Sequence, residues 1–101
     1  MFKEQYVNAG TVRIGHTKLI QFPYDSDRVV SLQILAGCGC SSVSLDKNNH
    51  TVNMEYTPQG IPQHLKHQGY YNSQKAYDVN MVLDDGTTKR YTLWFDAKVI
   101  T

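Results

Sequence analysis

Apolar and polar residues alternate with a period of two along most of the chain, and the 3.6-residue spacing of an amphipathic helix barely occurs. The pattern predicts strands separated by turn signals. A short strand over residues 11–14 closes at Gly15. Residues 18–24 place Ile20, Phe22 and Tyr24 on one face, and Asp25-Ser26-Asp27 ends the run with side chains that bond their own backbone. The next strand, residues 28–35, is expected to turn Val30, Leu32 and Ile34 inward. Residues 51–56 alternate Val52, Met54 and Tyr56 against Thr51, Asn53 and Glu55, the signature of a strand with one wet face. Residues 76–83 repeat it with Tyr77, Val79, Met81 and Leu83, and Asp84-Asp85-Gly86-Thr87 then supplies the Asp-Gly pair of a tight hairpin. The returning strand, residues 89–100, therefore pairs antiparallel, with Tyr91, Leu93, Phe95, Ala97 and Val99 on one face and Trp94 on the solvent side.

One stretch lacks strand character. Residues 57–75 form an unusually long loop for a compact domain, and they carry Ile61, Leu65, Tyr70 and Tyr71. Six or seven short strands at turn-marked spacing predict an all-β fold, an antiparallel immunoglobulin-like β-sandwich of about seven strands. Residues 1–101 are then one domain, with residues 1–7 as an N-terminal arm. At 11.5 kDa a folded chain exposes about 5,800 Å². That supports one modest core. The composition, 41% apolar and 19% charged, is that of a globular domain.

Charge narrows the partners. A net charge of +1 with no basic cluster argues against nucleic acid. No run approaches the roughly 20 apolar residues of a membrane-spanning helix. The first residues have no apolar leader segment, so the expected location is the cytoplasm or a virion assembled there.

Three pieces in order carry a family likeness. Ala9-Gly10-Thr11-Val12-Arg13-Ile14-Gly15 precedes a strand with Phe22; the third strand runs into Ala36-Gly37-Cys38-Gly39-Cys40-Ser41; and residues 70–99 close with an Asp-Gly hairpin and an alternating strand. Together they resemble a bacterial immunoglobulin-like family of unknown function, kin to ASH and major-sperm-protein domains, whose most distinctive mark is the Cys-Gly-Cys after the third strand. Two departures stand out. Asp46-Lys47-Asn48-Asn49-His50 replaces the family's Pro-Gly turn, and residues 60–69 look like an insertion. The resemblance implies the sandwich and no particular activity.

Cys38 and Cys40 are the first candidates for chemistry, since two thiols one residue apart suit a soft metal with His50, His64 and His67 as further ligands. His64 and His67 share a face if residues 63–68 form a helical turn. The spacing matches no zinc motif, and a bridge across one residue is strained. A reduced, metal-free structural pair without a cofactor is expected. The paired carboxylates Asp25 with Asp27 and Asp84 with Asp85 sit in turns where Asp is favoured anyway, so no catalytic residues are assigned. Tyr70, Tyr71 and Trp94, with Phe2 and Tyr6 on the arm, are the candidate interface, being types enriched at contact hot spots. The expected function is that of a non-enzymatic structural protein. It docks through the long loop and a sheet edge or the arm onto protein partners or copies of itself, as a phage virion component such as capsid decoration, cement or tail accessory. The alternative is a cell-envelope thiol or metal-handling module using Cys38 and Cys40.

Overall fold

Alternating side chains can bury one face of a strand only if another layer covers it, and here two sheets cover each other. The structure, a computed structural model, describes residues 1–36 and 41–101. Its strands are β1 (Tyr6–Arg13), β2 (Lys18–Pro23), β3 (Val29–Ala36), β4 (Ser41–Asp46), β5 (Thr51–Tyr56), β6 (Tyr70–Leu83) and β7 (Thr88–Ile100). Helix among the described residues is confined to a 3-10 segment, Gln63–Gln68. One sheet has the order β1-β7-β6-β3 and the other β2-β5-β4. In chain order these reproduce the B-E-D and C-F-G groupings of an immunoglobulin-like sandwich, with the first strand moved onto the last. The pairing of β1 with β7 is parallel, so the fold is not antiparallel throughout.

The core lies between the inner faces. Ile20, Phe22, Val52, Met54, Tyr56, Val79, Met81, Leu93, Phe95 and Val99 are all essentially inaccessible to solvent. They follow the alternation of β2, β5, β6 and β7. Phe95 meets Tyr56 of the opposite sheet edge to face, with ring centroids 5.1 Å apart. Tyr56 also bonds Ser73 through its hydroxyl at 3.3 Å, and burial pushes its phenol pKa up. The exposed surface of 5949 Å² sits close to the single-core expectation.

Three expectations are corrected. Residues 1–7 are not a free arm: Tyr6 and Val7 open β1, Phe2 bridges to Tyr24, and Asp25 donates its backbone N–H to the Met1 carbonyl at 2.8 Å. The alternation is weak there because a parallel edge partner, not a burial pattern, organises the segment. The long loop is shorter than residues 57–75, since β6 begins at Tyr70 and runs 14 residues as half of a long hairpin with β7. Polar residues at Asn72 and Gln74 hid this extension. Finally, β3 does not bury Val30 and Ile34. A bulge between Val29 and Ser31 puts Val29 inside, and β3 lies at the rim of a four-stranded layer facing one of only three strands.

The β6–β7 hairpin turns as the Asp-Gly pair predicts. Gly86 takes φ 84°, a conformation costly for a residue with Cβ, and Leu83 bonds Thr87 across the turn. Bonds from the Thr87 hydroxyl and backbone N–H, then from Arg28, hold the Asp85 carboxyl down at about 2 against an ordinary 3.8. A depressed carboxylate stabilises the fold above its unfolded pKa and loses that contribution as pH falls toward the folded one. Stability should therefore drop between about pH 4 and 2. Thr87→Ala should raise the Asp85 pKa in a carboxyl NMR titration and flatten that acid limb of the melting curve; an unmoved pKa would contradict the assignment.

Candidate functional site

Two surfaces stand apart from the satisfied core. The first is the rim at β3. Among the described residues β3 ends its sheet and β4 ends the other, so each presents backbone groups without a neighbouring strand on its outer side. Val30, Ile34 and Leu35 are 46%, 50% and 45% exposed. Behind them Leu32, Val43 and Leu45 are only partly buried against the core. Bulges flank the regular stretch of β3 at both ends. The result is an aliphatic strip on an open edge.

The second surface is the outer face of β1, β7 and β6. Cross-strand register aligns Tyr6 with Trp94 and Ala76, Asn8 with Asp96 and Gln74, and Thr11 with Lys98 and Asn72. Tyr6 and Trp94 stack with ring centroids 4.3 Å apart. The Tyr6 hydroxyl donates to Asp96 Oδ2 at 2.9 Å, and that bond raises the Tyr6 pKa. Lys98 sets its ammonium 4.7 Å from the Tyr70 ring centroid, a cation–π arrangement. Further along the same face, Asp78 accepts from Thr92 at 2.6 Å and Arg90 at 3.1 Å, contacts that lower its pKa.

The structure separates the residues anticipated as one interface. Tyr6, Trp94 and Tyr70 share the outer face, whereas Tyr71 turns inward against the core and Phe2 packs between Tyr24 and Tyr91 at 6.1 and 5.0 Å. Trp94 is half-buried and rests on Tyr6. Among the described candidate metal ligands, His50, His64 and His67 form no common metal-binding group. His50 lies 3.4 Å from Asp27 and against the Tyr24 ring, while His64 and His67 are exposed on the 3-10 turn. Cys38 and Cys40, and Gly37 and Gly39 beside them, lie outside the described residues. No group of three or more His, Cys, Asp or Glu side chains suited to a metal occurs among the described residues.

The paired turn carboxylates have local partners. Arg28 donates Nε to Asp84 at 3.0 Å and Nη2 to Asp85 at 2.7 Å, tying the β6–β7 hairpin to the start of β3. Asp25 faces the chain's amino group at 3.7 Å. In the β4–β5 hairpin Asp46 accepts from the backbone of Asn48 and Asn49 and from the Asn49 amide, which lowers its pKa.

Sequence reasoning missed both the β3 strip and the polar rungs beside Tyr6 and Trp94. The strip was read as core because its alternation is continuous. The rungs had a usable signal: once a strand is extended to Tyr70, Asn72 and Gln74 must share a face with Ala76, opposite Lys98, Asp96 and Trp94. No family model matches the chain, and neither a curated protein nor a solved structure matches it.

Proposed function

We propose that the protein is a non-enzymatic docking domain that attaches to a larger protein assembly through the open edge at β3. The observation that supports this is the half-exposed aliphatic strip of Val30, Ile34 and Leu35 on a strand that ends its sheet. An edge strand is a template for strand addition, and natural sequences guard one with charge, Pro or cover. This one presents aliphatic side chains instead, and so suits a partner that supplies the cover. The turn carboxylates Asp46, Asp84 and Asp85 are engaged in turn and ion-pair contacts, which fits a structural role for them. The setting proposed is a virion, with the domain added in many copies as decoration, cement or tail accessory.

Changing Ile34 and Leu35 together to Lys places two charges on the edge. The variant is expected to keep its β-sheet circular dichroism, with a thermal midpoint lowered by several degrees because Ile34 is half-buried, while no longer co-sedimenting with the particle at temperatures where it is fully folded. Co-sedimentation equal to the parent's overturns the proposal.

A further inference from the structure

The outer face of β1, β7 and β6 is separated from the β3 edge and has a chemistry of its own. A sheet face is normally a flat or gently twisted surface, but here β1 bulges between Asn8 and Thr11. Gly10, at φ 73°, makes the bulge possible, and its N–H bonds Asn8 Oδ1 at 3.0 Å. The irregularity borders a hollow of about 580 Å³, within the range of small-ligand sites. Asn8, Thr11, Asn72, Gln74, Asp96 and Lys98 line it.

Three properties of this lining point to one ligand class. Its only charges, Asp96 and Lys98, cancel, so it offers no phosphate-tracking surface. Its remaining side chains are the amides of Asn8, Asn72 and Gln74 and the hydroxyls of Tyr6, Thr11 and Ser73, which both donate and accept. Among the described residues neither the Asn72 nor the Gln74 amide makes a side-chain hydrogen bond within the protein, while Asp96 is held in place by Tyr6. Next to the hollow lies a second depression of about 290 Å³, lined by Gln74, Ala76 and Trp94. Ala76 stands directly across from Trp94 in the register, and its small side chain leaves space beside the indole. Tyr6 backs the indole. Gln74 borders both depressions, so the two lie side by side as a trough.

A sugar ring has an apolar C–H face that packs on an aromatic plane and a rim of hydroxyls that each donate and accept. We propose that the trough is a carbohydrate-binding site for a neutral saccharide chain, one ring lying beside Trp94 over Ala76 and its neighbours hydrogen-bonding Gln74, Asp96, Lys98 and Asn72. A peptide strand would pair with the backbone along the outer side of an edge strand, whereas the trough offers side chains on the sheet face, and an anionic polymer would meet Asp96 without a surplus of cations. The bulge and the Tyr6–Asp96 bond set the polar groups before the ligand arrives, which lowers the ordering cost of binding.

The test uses the full chain and its single tryptophan. Indole fluorescence and amide NMR shifts are followed while neutral cello-, chito-, xylo- and mannooligosaccharides are added, with heparin fragments and inorganic phosphate as anionic probes. At least one neutral series should give a saturable fluorescence change together with shifts at Asn72, Gln74, Trp94, Asp96 and Lys98. Gln74→Ala should weaken that binding roughly tenfold, and Ala76→Leu, which fills the space beside the indole, should abolish it with the melting temperature unchanged. The proposal is overturned if no neutral series moves these groups, if the anionic probes saturate the trough equally well, or if the shifts fall at β3. Because Gln74→Ala leaves the β3 edge intact, particle docking should persist in that variant, so failure of the docking reading and failure of the saccharide reading are separately visible.

Discussion

Phe95→Ala is expected to cost about 3–5 kcal/mol in urea unfolding, among the largest losses at a described position. Phe95 is fully buried on β7 and carries the edge-to-face contact with Tyr56 across the two layers. Removing the ring takes away its transfer energy and leaves a cavity that the stiff strands around it, with Val79, Leu93 and Val99 also inaccessible, can fill only in part. A domain of this size has only some 5–15 kcal/mol to lose. The informative comparison is Ile34→Ala. The alternation of β3 makes Ile34 look equally internal, yet its half-exposure limits the expected loss to about 1 kcal/mol. Equal losses at the two positions would show that the rim at β3 is covered by the chain itself and would remove the open edge.

Deleting residues 1–7 is expected to destabilise the fold by about 3–5 kcal/mol, from the burial of Phe2 and the aromatic pairs that go with it. Phe2 stands edge to face on both Tyr24 and Tyr91, and Tyr6 stacks on Trp94 and bonds Asp96. Backbone bonds also disappear, among them Asp25 N–H to the Met1 carbonyl and Trp94 N–H to the Gln5 carbonyl, at 2.8 and 2.9 Å, together with the start of the β1–β7 ladder and the Phe2–Tyr24 bridge. Thermal melts of the truncated chain measure the effect. A truncated protein that melts with the parent would mean that the segment is a detachable arm, as the sequence alone suggests. Phe2→Ala isolates the aromatic share, about 1.5–3 kcal/mol, and leaves β1 in place.

The elements that were legible in the sequence are those whose structure depends on local alternation and turn chemistry. The inward sets of β2, β5, β6 and β7 all follow period-two burial, and the Asp-Gly turn fixes the β6–β7 hairpin. What escaped depends on long-range partners. Tyr6 and Val7 become strand because β7 lies parallel beside them, and no local pattern encodes a parallel neighbour almost ninety residues away. Ile34 keeps an inward parity, opposite Val79, and is still half-exposed because burial depends on what the facing layer covers. Asn72 and Gln74 read as loop because polar residues on a wet strand face and in a loop look alike until the partner strand is known. For the same reason the trough was invisible: its lining comes from β1, β6 and β7, and only the register brings Asn8, Asp96 and Gln74 into one row. The aromatic residues expected at one interface were divided by parity, Tyr70 outward and Tyr71 inward.

These placements give the two surfaces different demands. As proposed, the β3 edge takes an apolar partner with a strand to add, and the trough takes a neutral polyhydroxylated chain. The docking claim is central, and site-specific photocrosslinking tests it most directly. A photoreactive residue at Leu35, on the exposed strip, is compared with one at Glu55, exposed on β5 in the middle of the other sheet. With the protein in its natural assembly, the account predicts a discrete adduct with a neighbouring protein from position 35 and none from position 55. Adducts from position 55 alone, or none from either position in intact particles, would contradict it.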